Sequence, residues 1–393
     1  MIILSLNAGS SSLKFAVNDT RSSTSLMSGI VEKIGTHEAE GAIEHGPHTN
    51  KIQLQGTDHA SAIKDVLAAL NQMLESDGAR IQAIGHRVVH GGSEFTGPTI
   101  ITPAVIHSIE RLSPLAPLHN PANLAAVKAA HHLYPELPQV AVFDTAFHQT
   151  IPEKAFRYAI PEEWFESHKI RKYGFHGTSH SYVSAEAIKR FGLSPDQSRI
   201  IVAHLGNGAS ISAIQGGKSI DTSMGLSPLD GLIMGTRSGS IDPSIHLYLA
   251  QHTGLTLEEI TETLTKQSGM LALSQTSSDM RDIWALYREG DHRAILAMEM
   301  YLYRLNQTLL GQLAAFDAKL DALIFTGGIG ENDCELRRRV LQSLAWIGFE
   351  LSDTLNQASG DAKGAITTST APLAAIIKTN EELEIARQTA SLC

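Results

Sequence analysis

Residues 2–17 read IILSLNAGSSSLKFAV, and residues 202–214 read VAHLGNGASISAI. In each stretch an apolar run leads into a turn rich in Gly, Asn and Ser, and a second apolar run follows. This pattern predicts an antiparallel β-hairpin at both places. A glycine turn with hydroxyl side chains also lets a ligand approach the backbone and find donors. Taken alone, each stretch is better explained as a plain polar hairpin, and chance explains their similarity as well as duplication does.

The rest of the chain alternates short apolar runs with helical patterns. Apolar residues recur every three or four positions over residues 59–76 and 291–316, which is the spacing of amphipathic helices. Strands that alternate with helices indicate an α/β protein. A chain of 393 residues is too long for one hydrophobic core. We therefore expect two domains, with a boundary near residue 150.

Composition excludes several classes of function. The net charge of −10 argues against nucleic acid as a partner, because phosphate backbones require a basic face. Apolar runs are too short for a membrane span, and the N-terminus lacks the basic start of a signal peptide. With only Cys334 and Cys393, no disulfide framework is expected. We therefore expect a cytoplasmic protein.

A third glycine-rich segment comes directly after the apolar residues 323–325, which we expect to form a buried strand. Its sequence, GGIGEN at residues 327–332, precedes a helical pattern that we expect to begin at Asn332 or Asp333 and to end at Gly348. If Asn332 is the cap, Glu335 completes a capping box. A glycine loop before a helix suits nucleotide phosphates or an adenosine. A strand-to-helix turn without a ligand is nearly as good an explanation.

Charged side chains stand beside small residues in several loops. Arg87 lies between two histidines and before a glycine pair, and Asp144 follows an apolar strand. The carboxyl ends of strands are where α/β sheets carry ligand-binding side chains. Similar charged positions, in loops of small residues or at a helix start, are His176, Arg237 and Glu381.

Two histidine pairs at i, i+4 spacing raise the alternative of a zinc site. The pairs, His86 with His90 and His176 with His180, lie in glycine-containing stretches. No HExxH helix is present, so we disfavour zinc.

Taken together, ten segments resemble the acetate kinase family, a branch of the superfamily that includes actin, Hsp70 and sugar kinases. They occur in family order and cover essentially the whole chain. The segments are NAGSSSLK (7–14), GHRVVHGG (85–92), APLHNP (116–121), VFDTAFHQT (142–150), RKYGFHGTSH (171–180), HLGNGASI (204–211), GTRSGSIDP (235–243), SSDMRD (277–282), FTGGIGEN (325–332) and TNEELEIAR (379–387).

The resemblance implies two related actin-like (ribonuclease H-like) α/β domains that close over a central cleft. Each would have a mixed five-stranded sheet flanked by helices. The N-terminal domain would comprise residues 1–150 plus 381–393, so that the C-terminal helix returns to it. The C-terminal domain, residues 151–380, would carry the nucleotide site and the interface of a homodimer.

The same resemblance implies a role for each matching residue. Arg87 would bind the carboxylate of acetate, and Asn7 and Glu381 would place Mg²⁺ through water, with Mn²⁺ able to substitute. The catalytic residues would be Asp144, His176 and Arg237. The apolar pocket for the methyl group would comprise Val89, Leu118, Phe175 and Pro228. ATP or ADP would contact Ser12, Lys14, His204, Leu205, Gly206, Asn207, Gly208, Asp279, Met280, Arg281, Gly328, Ile329, Gly330, Glu331 and Asn332.

The implied reaction moves the γ-phosphoryl group of ATP onto acetate. A carboxylic acid has a pKa of about 4, so the nucleophile is already ionised at neutral pH and needs no general base. The difficulty is to bring an anion to a polyanion, which arginines, a histidine and Mg²⁺ solve by charge and position. We therefore expect Asp144 to orient Mg²⁺, its waters or an arginine rather than to accept a proton.

Three alternatives remain beside acetate kinase. A propionate or butyrate kinase of the same family would need a larger pocket, and Val89 favours acetate because propionate-preferring relatives tend to have alanine there. A sugar kinase would need a polar pocket. A non-catalytic actin-like ATPase would have no use for Arg87 and Arg237.

Overall fold

A computed structural model describes residues 1–9, 11–76, 78–117, 119–317, 319–370 and 372–393. The chain packs as two compact units. The first comprises Met1–Gln149, Gly177–Ser179 and Asn380–Cys393, and the second comprises Thr150–His176 and His180–Thr379. Domains with the bounds 1–150 plus 381–393 and 151–380 stay a prediction.

The first unit is built on a mixed sheet with the strand order β5-β4-β3-β2-β1-β6-β8-β7 among the described residues. Its central strands β1, β6 and β8 run parallel, and β1 and β2 form the predicted hairpin, with Ala8 opposite Leu13. The strands are β1 Ile2–Ala8, β2 Leu13–Asp19, β3 Thr24–Glu32, β4 Glu40–His45, β5 His48–Ile52, β6 Ala83–Val88, β7 Thr99–Ile100 and β8 Gln139–Phe143.

Helices cover the faces of this sheet. The first helix buries an apolar stripe that includes Ile63, Val66 and Leu70 within the main core of the unit. The last helix of the chain packs on β1, β2, β6 and β8. The helices of this unit are α1 His59–Ser76, α2 Pro103–Leu112, α3 Asn120–Leu133 and, at the end of the chain, α15 Glu381–Ala390.

The second unit is built on a sheet with the order β11-β10-β9-β12-β13. Here β9 and β10 form the second predicted hairpin, with Leu205 opposite Ala209. The strands are β9 Arg199–Leu205, β10 Ala209–Gln215, β11 Lys218–Thr222, β12 Ala322–Thr326 and β13 Leu373–Ile376. The helices are α4 Glu153–Phe156, α5 Glu162–His168, α6 Gly177–Phe191 (which begins within the first unit), α7 Ser244–Thr253, α8 Leu257–Lys266, α9 Gly269–Ser274, α10 Met280–Arg288, α11 His292–Leu313, α12 Gly327–Asn332, α13 Cys334–Ser343 and α14 Asp353–Gln357.

The two sheets share one topology. In each, the first hairpin strand pairs antiparallel with its successor and parallel with a much later strand. That later strand pairs parallel with one further strand, which is β8 in the first unit and β13 in the second. The strand order β3-β2-β1-β6-β8 therefore corresponds to β11-β10-β9-β12-β13. This correspondence favours duplication over chance. The predicted five strands are correct for the second unit but wrong for the first, where β4, β5 and β7 extend the sheet at its edges.

The glycine segment after β12 differs from the expectation. Residues Gly327–Asn332 form their own short helix, α12, and Asp333 rather than Asn332 caps α13 by accepting a hydrogen bond from the Leu336 amide (2.9 Å). Of the two predicted starts, Asp333 is therefore confirmed, and Asn332, with the capping box that Glu335 would complete, is wrong. The Glu335 carboxylate instead pairs with Arg338 and Arg339 of its own helix. The α-helix ends at Ser343, and a short 3-10 helix, Ala345–Ile347, follows it and ends at Gly348, whose backbone is left-handed (φ 112°) as predicted for a terminating glycine.

None of the helices in the described ranges is long and apolar enough to cross a membrane.

Candidate active site

Arg87 and Asp144 form a bidentate ion pair in the first unit. Strand β6 carries Arg87, and Asp144 directly follows the neighbouring strand β8, so parallel pairing brings them together. The Arg87 Nε donates to Asp144 Oδ1 (2.9 Å), and Nη2 donates to Oδ2 (2.6 Å). A third hydrogen bond runs from Nη1 to Asn7 Oδ1 (3.0 Å). Since a guanidinium has five N–H groups, one on Nη1 and one on Nη2 remain for a ligand.

Burial sets the electrostatics of this pair. The Asp144 side chain is 1% exposed, and its burial raises the pKa of the carboxyl group, while Arg87 offsets part of that rise. Burial also disfavours the charge on Arg87, but the carboxylates of Asp144 and Glu381 outweigh it and raise the guanidinium pKa. The arginine therefore stays a cation whose orientation the aspartate fixes.

The predicted metal-placing residues belong to the same cluster. Glu381 begins α15, its Oε2 accepts from Thr178 Oγ1 (3.0 Å), and it lies 3.9 Å from Arg87 Nε. Asn7 pairs directly with Lys14 across the β1–β2 hairpin. The cluster therefore supplies an amide oxygen and carboxylates, which are ligands that Mg²⁺ prefers. Among the described residues, no group of three His, Cys, Asp or Glu side chains could by itself hold a metal ion.

Other predicted residues of this unit lie nearby in sequence. Val89 is buried directly after β6, and its amide donates to Asn123 Oδ1 (3.0 Å). Ser12 closes the first hairpin by accepting from the Gly9 amide through its carbonyl (2.7 Å). Leu118, a predicted pocket residue, lies outside the described residues.

In the second unit, a serine hydroxyl links two histidines. Ser210 Oγ lies 2.9 Å from His176 Nδ1 and 2.8 Å from His180 Nε2. The His176 ring stacks on His204 with a centroid distance of 4.4 Å. His176 also has a left-handed backbone (φ 56°) as the N-cap of α6, a conformation that costs a non-glycine residue energy and often marks functional sites. These contacts fix the His176 ring through Nδ1.

Arg237 approaches the same turn. A Cβ on Gly208 would lie 3.5 Å from Arg237 Nη1 and 3.7 Å from His176 Nε2, so both side chains lie against the backbone of this turn. Arg237 Nη1 also donates to the Pro228 carbonyl (3.1 Å), and burial lowers the pKa of this guanidinium. A histidine nitrogen and an arginine thus converge above the backbone of the second hairpin turn. Phe175 is buried beside His176 in sequence.

The second unit also contains a cavity of about 760 Å³. It lies against the second hairpin turn, the start of α10 and the residues of α12 and α13. Its lining residues are Gly206, Asn207, Ser278, Asp279, Met280, Arg281, Trp284, Arg288, Gly328, Ile329, Asn332, Asp333, Cys334 and Glu335. Eight of the predicted nucleotide residues are among them.

Other predicted nucleotide residues of this unit do not line the cavity. Glu331 points back into the protein, where its carboxylate accepts from the amides of Gly327 (3.0 Å) and Thr379 (3.1 Å). Gly330 is buried, and its carbonyl accepts from Arg337 (2.8 Å). His204, Leu205 and Gly208 do not line the cavity either.

Two residues of these sites, Ser210 and Trp284, are absent from the residues predicted from the sequence. Ser210 is one serine among many, and its role depends on the register that places it opposite His204. Trp284 lines the cavity and donates its Nε1 hydrogen to Asp333 Oδ2 (2.6 Å). The helical spacing from Met280 to Trp284 was the available signal, because it places both on one face of α10.

Two α/β units whose mixed sheets share one topology agree with the two-domain actin-like fold. The model described as the Acetokinase family matches residues 2–387. The chain therefore belongs to the acetokinase family.

Individual relatives agree. Acetate kinase of Deinococcus deserti is 47% identical over 393 residues, covering 99% of this chain and 97% of that protein. The crystal structure of Porphyromonas gingivalis acetate kinase matches with a TM-score of 0.91 at 40% identity, over 100% of this chain and 99% of that one. The crystal structure of a propionate kinase from Francisella tularensis subsp. tularensis SCHU S4 matches with a TM-score of 0.92 at 44% identity, over 100% of both chains.

Proposed function

We propose that this protein is an acetate kinase that reversibly transfers the γ-phosphoryl group of ATP to acetate, giving acetyl phosphate and ADP. Family membership supports the reaction class, and ATP is the nucleotide substrate of that class. The observation that supports acetate binding is the geometry of Arg87. Asp144 binds one edge of its guanidinium, Asn7 binds a third N–H group, and two N–H groups remain available for the acid. A planar carboxylate suits a guanidinium better than an ammonium group.

In the proposed reaction an acetate oxygen attacks the γ-phosphorus in line, and the bond from that phosphorus to the β,γ-bridging oxygen breaks. The electron pair leaves with ADP, and no proton moves, because the acid is already ionised. Arg87 binds the attacking acid. His176 and Arg237 stabilise the charge on the phosphoryl oxygens, and burial strengthens both interactions.

The cavity of the second unit would hold the nucleoside, with α10 on one side and the α12 and α13 residues on another. Asn7 and Glu381 would hold Mg²⁺ through water, and the oxygen donors of their cluster fit this ion. When bound, the ion neutralises charge on the transferred phosphoryl group. Asp144 keeps Arg87 oriented, and its buried carboxylate needs no proton-accepting role.

Acid-dependent ADP release from Mg-ATP tests the proposal. We expect ADP release in the presence of acetate and none in the presence of glycerol. ADP release that is the same with and without acetate would instead favour the bare ATPase alternative.

A propionate kinase is the second candidate function, since one solved relative bears that name. Val89 is the discriminating residue, and we propose that it limits the space for the acid's alkyl group. We expect Val89→Ala to raise kcat/KM for propionate relative to acetate by about tenfold, because one methylene contributes roughly 1–3 kcal/mol. Initial rates with both acids measure the ratio. An unchanged ratio would remove Val89 from the pocket.

We also propose that the protein is a cytoplasmic homodimer joined through the second unit. Helix α11 exposes Leu296, Met300, Tyr303 and Leu310 along one side, and Tyr303 is 69% exposed. Apolar residues at this spacing form a stripe that a second copy could cover. We expect Met300→Glu with Tyr303→Glu to halve the mass measured by sedimentation equilibrium. Lys319→Glu, a substitution outside the stripe, should not change it, and a monomeric wild type would contradict the proposal.

A further inference from the structure

Arg337, on α13, is the largest of the fully buried side chains among the described residues, with 1% of its surface exposed. No carboxylate of the described ranges forms an ion pair with it. Its guanidinium instead binds oxygen atoms of two segments. Nη1 donates to the Gly330 carbonyl (2.8 Å), Nε donates to Asn356 Oδ1 (2.8 Å), and Nη2 donates to the Asn356 carbonyl (3.0 Å).

Asn356 extends this network. It lies in α14, is 2% exposed, and donates its Nδ2 hydrogen to the Cys334 carbonyl (2.8 Å). Arg337 and Asn356 together therefore hold two backbone carbonyls, those of Gly330 and Cys334. Both carbonyls belong to the chain between residues 328 and 335.

That stretch forms one wall of the cavity. The lining residues from α12 are Gly328, Ile329 and Asn332. Those at the start of α13 are Cys334 and Glu335. Arg337 and Asn356 are absent from the lining, so they bind the wall from behind. Gly330 lies in the last turn of α12, where helix carbonyls lack partners within the helix, and Arg337 supplies a donor for it.

The Asp333 carboxylate favours the charge on Arg337 without forming an ion pair with it. Desolvation still penalises a buried cation, and an apolar side chain of similar volume avoids that penalty. Burial accordingly lowers the pKa of Arg337. Its three hydrogen bonds all end on the oxygen atoms described above, so the guanidinium fixes the position of a backbone segment.

We propose that Arg337 and Asn356 are positioning residues for the nucleotide. They hold the Gly328–Glu335 wall of the cavity in the shape that binds the nucleotide, and they do not touch the nucleotide themselves. This inference rests on the proposed function, because it takes the cavity as the nucleotide site. The inference predicts that Arg337 and Asn356 affect nucleotide binding but not acid binding, because the proposed acid-binding arginine, Arg87, belongs to the first unit.

The test compares Arg337→Met with wild type in steady-state kinetics and in direct binding. We expect the KM for Mg-ATP to rise about tenfold, since hydrogen bonds to a charged group are lost, while kcat and the KM for acetate change less than about twofold. Tryptophan fluorescence, to which Trp284 of the cavity wall contributes beside Trp164 and Trp346, reports Mg-ADP binding without turnover, and the Kd for Mg-ADP should rise by the same factor. Arg337→Lys should fall in between.

Val340→Ala is the matched control, because Val340 is a fully buried residue of the same helix. It should lower the melting temperature without changing the KM for Mg-ATP. If Arg337→Met does not fold, Asn356→Ala tests the inference in its place. It removes the hydrogen bond to the Cys334 carbonyl and the one that Asn356 Oδ1 accepts from Arg337. A folded Arg337→Met or Asn356→Ala protein with an unchanged nucleotide Kd would overturn the inference. A wild type that binds no Mg-ADP would overturn the proposed function with it, whereas nucleotide binding lost only in the variants supports both.

Discussion

Arg87→Ala is expected to reduce acetate-dependent ADP formation by about a thousandfold, the scale on which enzymes lose rate with a stabilising donor in a buried site. The substitution removes both N–H groups that remain for the acid. It also leaves the buried Asp144 carboxylate without its bidentate partner. Loss of the partner raises the pKa of Asp144 further, because burial already disfavours its charge.

Two further variants separate charge from geometry. Arg87→Lys keeps the cation but cannot bind Asp144 and an acid in two parallel pairs, so it should also remain severely impaired. Arg111→Ala breaks an exposed pair with Glu94 elsewhere in the same unit and should leave the rate unchanged. Coupled measurement of ADP gives all three rates. A substantially active Arg87→Lys protein would show that the planar guanidinium group is not needed.

Asp144→Asn is expected to reduce the rate to about one thousandth of wild type, because it removes a charge that holds Arg87 in place. An asparagine retains one acceptor oxygen but turns an NH₂ group towards the guanidinium, which disrupts the bidentate geometry. Asp19→Asn, at the half-buried end of β2, is the matched control and should retain full activity.

The pH dependence tests whether Asp144 accepts a proton. Because acetate is already ionised, the wild-type rate should not need a deprotonated base. Its pH profile should therefore contain no rise with pH that depends on Asp144 and is lost in Asp144→Asn. The solvent isotope effect on the chemical step should be close to one. A clear isotope effect measured in single turnover would show proton transfer and would assign Asp144 the role of a base.

The hairpins were predictable because their signal is local. An apolar run, a glycine turn and a second apolar run determine β1–β2 and β9–β10 without reference to the rest of the chain. Strand β5, residues His48–Ile52, is mostly exposed and lacks an alternating apolar pattern. It forms because β4 offers an unpaired edge, which is information that the sequence of the strand does not contain.

The candidate site was predictable in its residue types and less so in its contacts. Arg87 and Asp144 are 57 positions apart, and only the parallel pairing of β6 with β8 makes them partners. Which of two neighbours, Asn332 or Asp333, caps α13 could not be decided from the sequence. Asn332 donates its side chain to the Gly328 carbonyl (2.8 Å), which leaves Asp333 to cap the helix.

Trapping with hydroxylamine tests the central claim most directly. Hydroxylamine converts an acyl phosphate into a hydroxamate but does not react with sugar phosphates or free phosphate. The protein is incubated with Mg-ATP and, separately, acetate, propionate, butyrate or glycerol. We predict a strong hydroxamate signal with acetate, a weaker one with propionate and none with glycerol. ADP release without hydroxamate from any of the acids would contradict the account, because the chain would then hydrolyse ATP without phosphorylating a carboxylate.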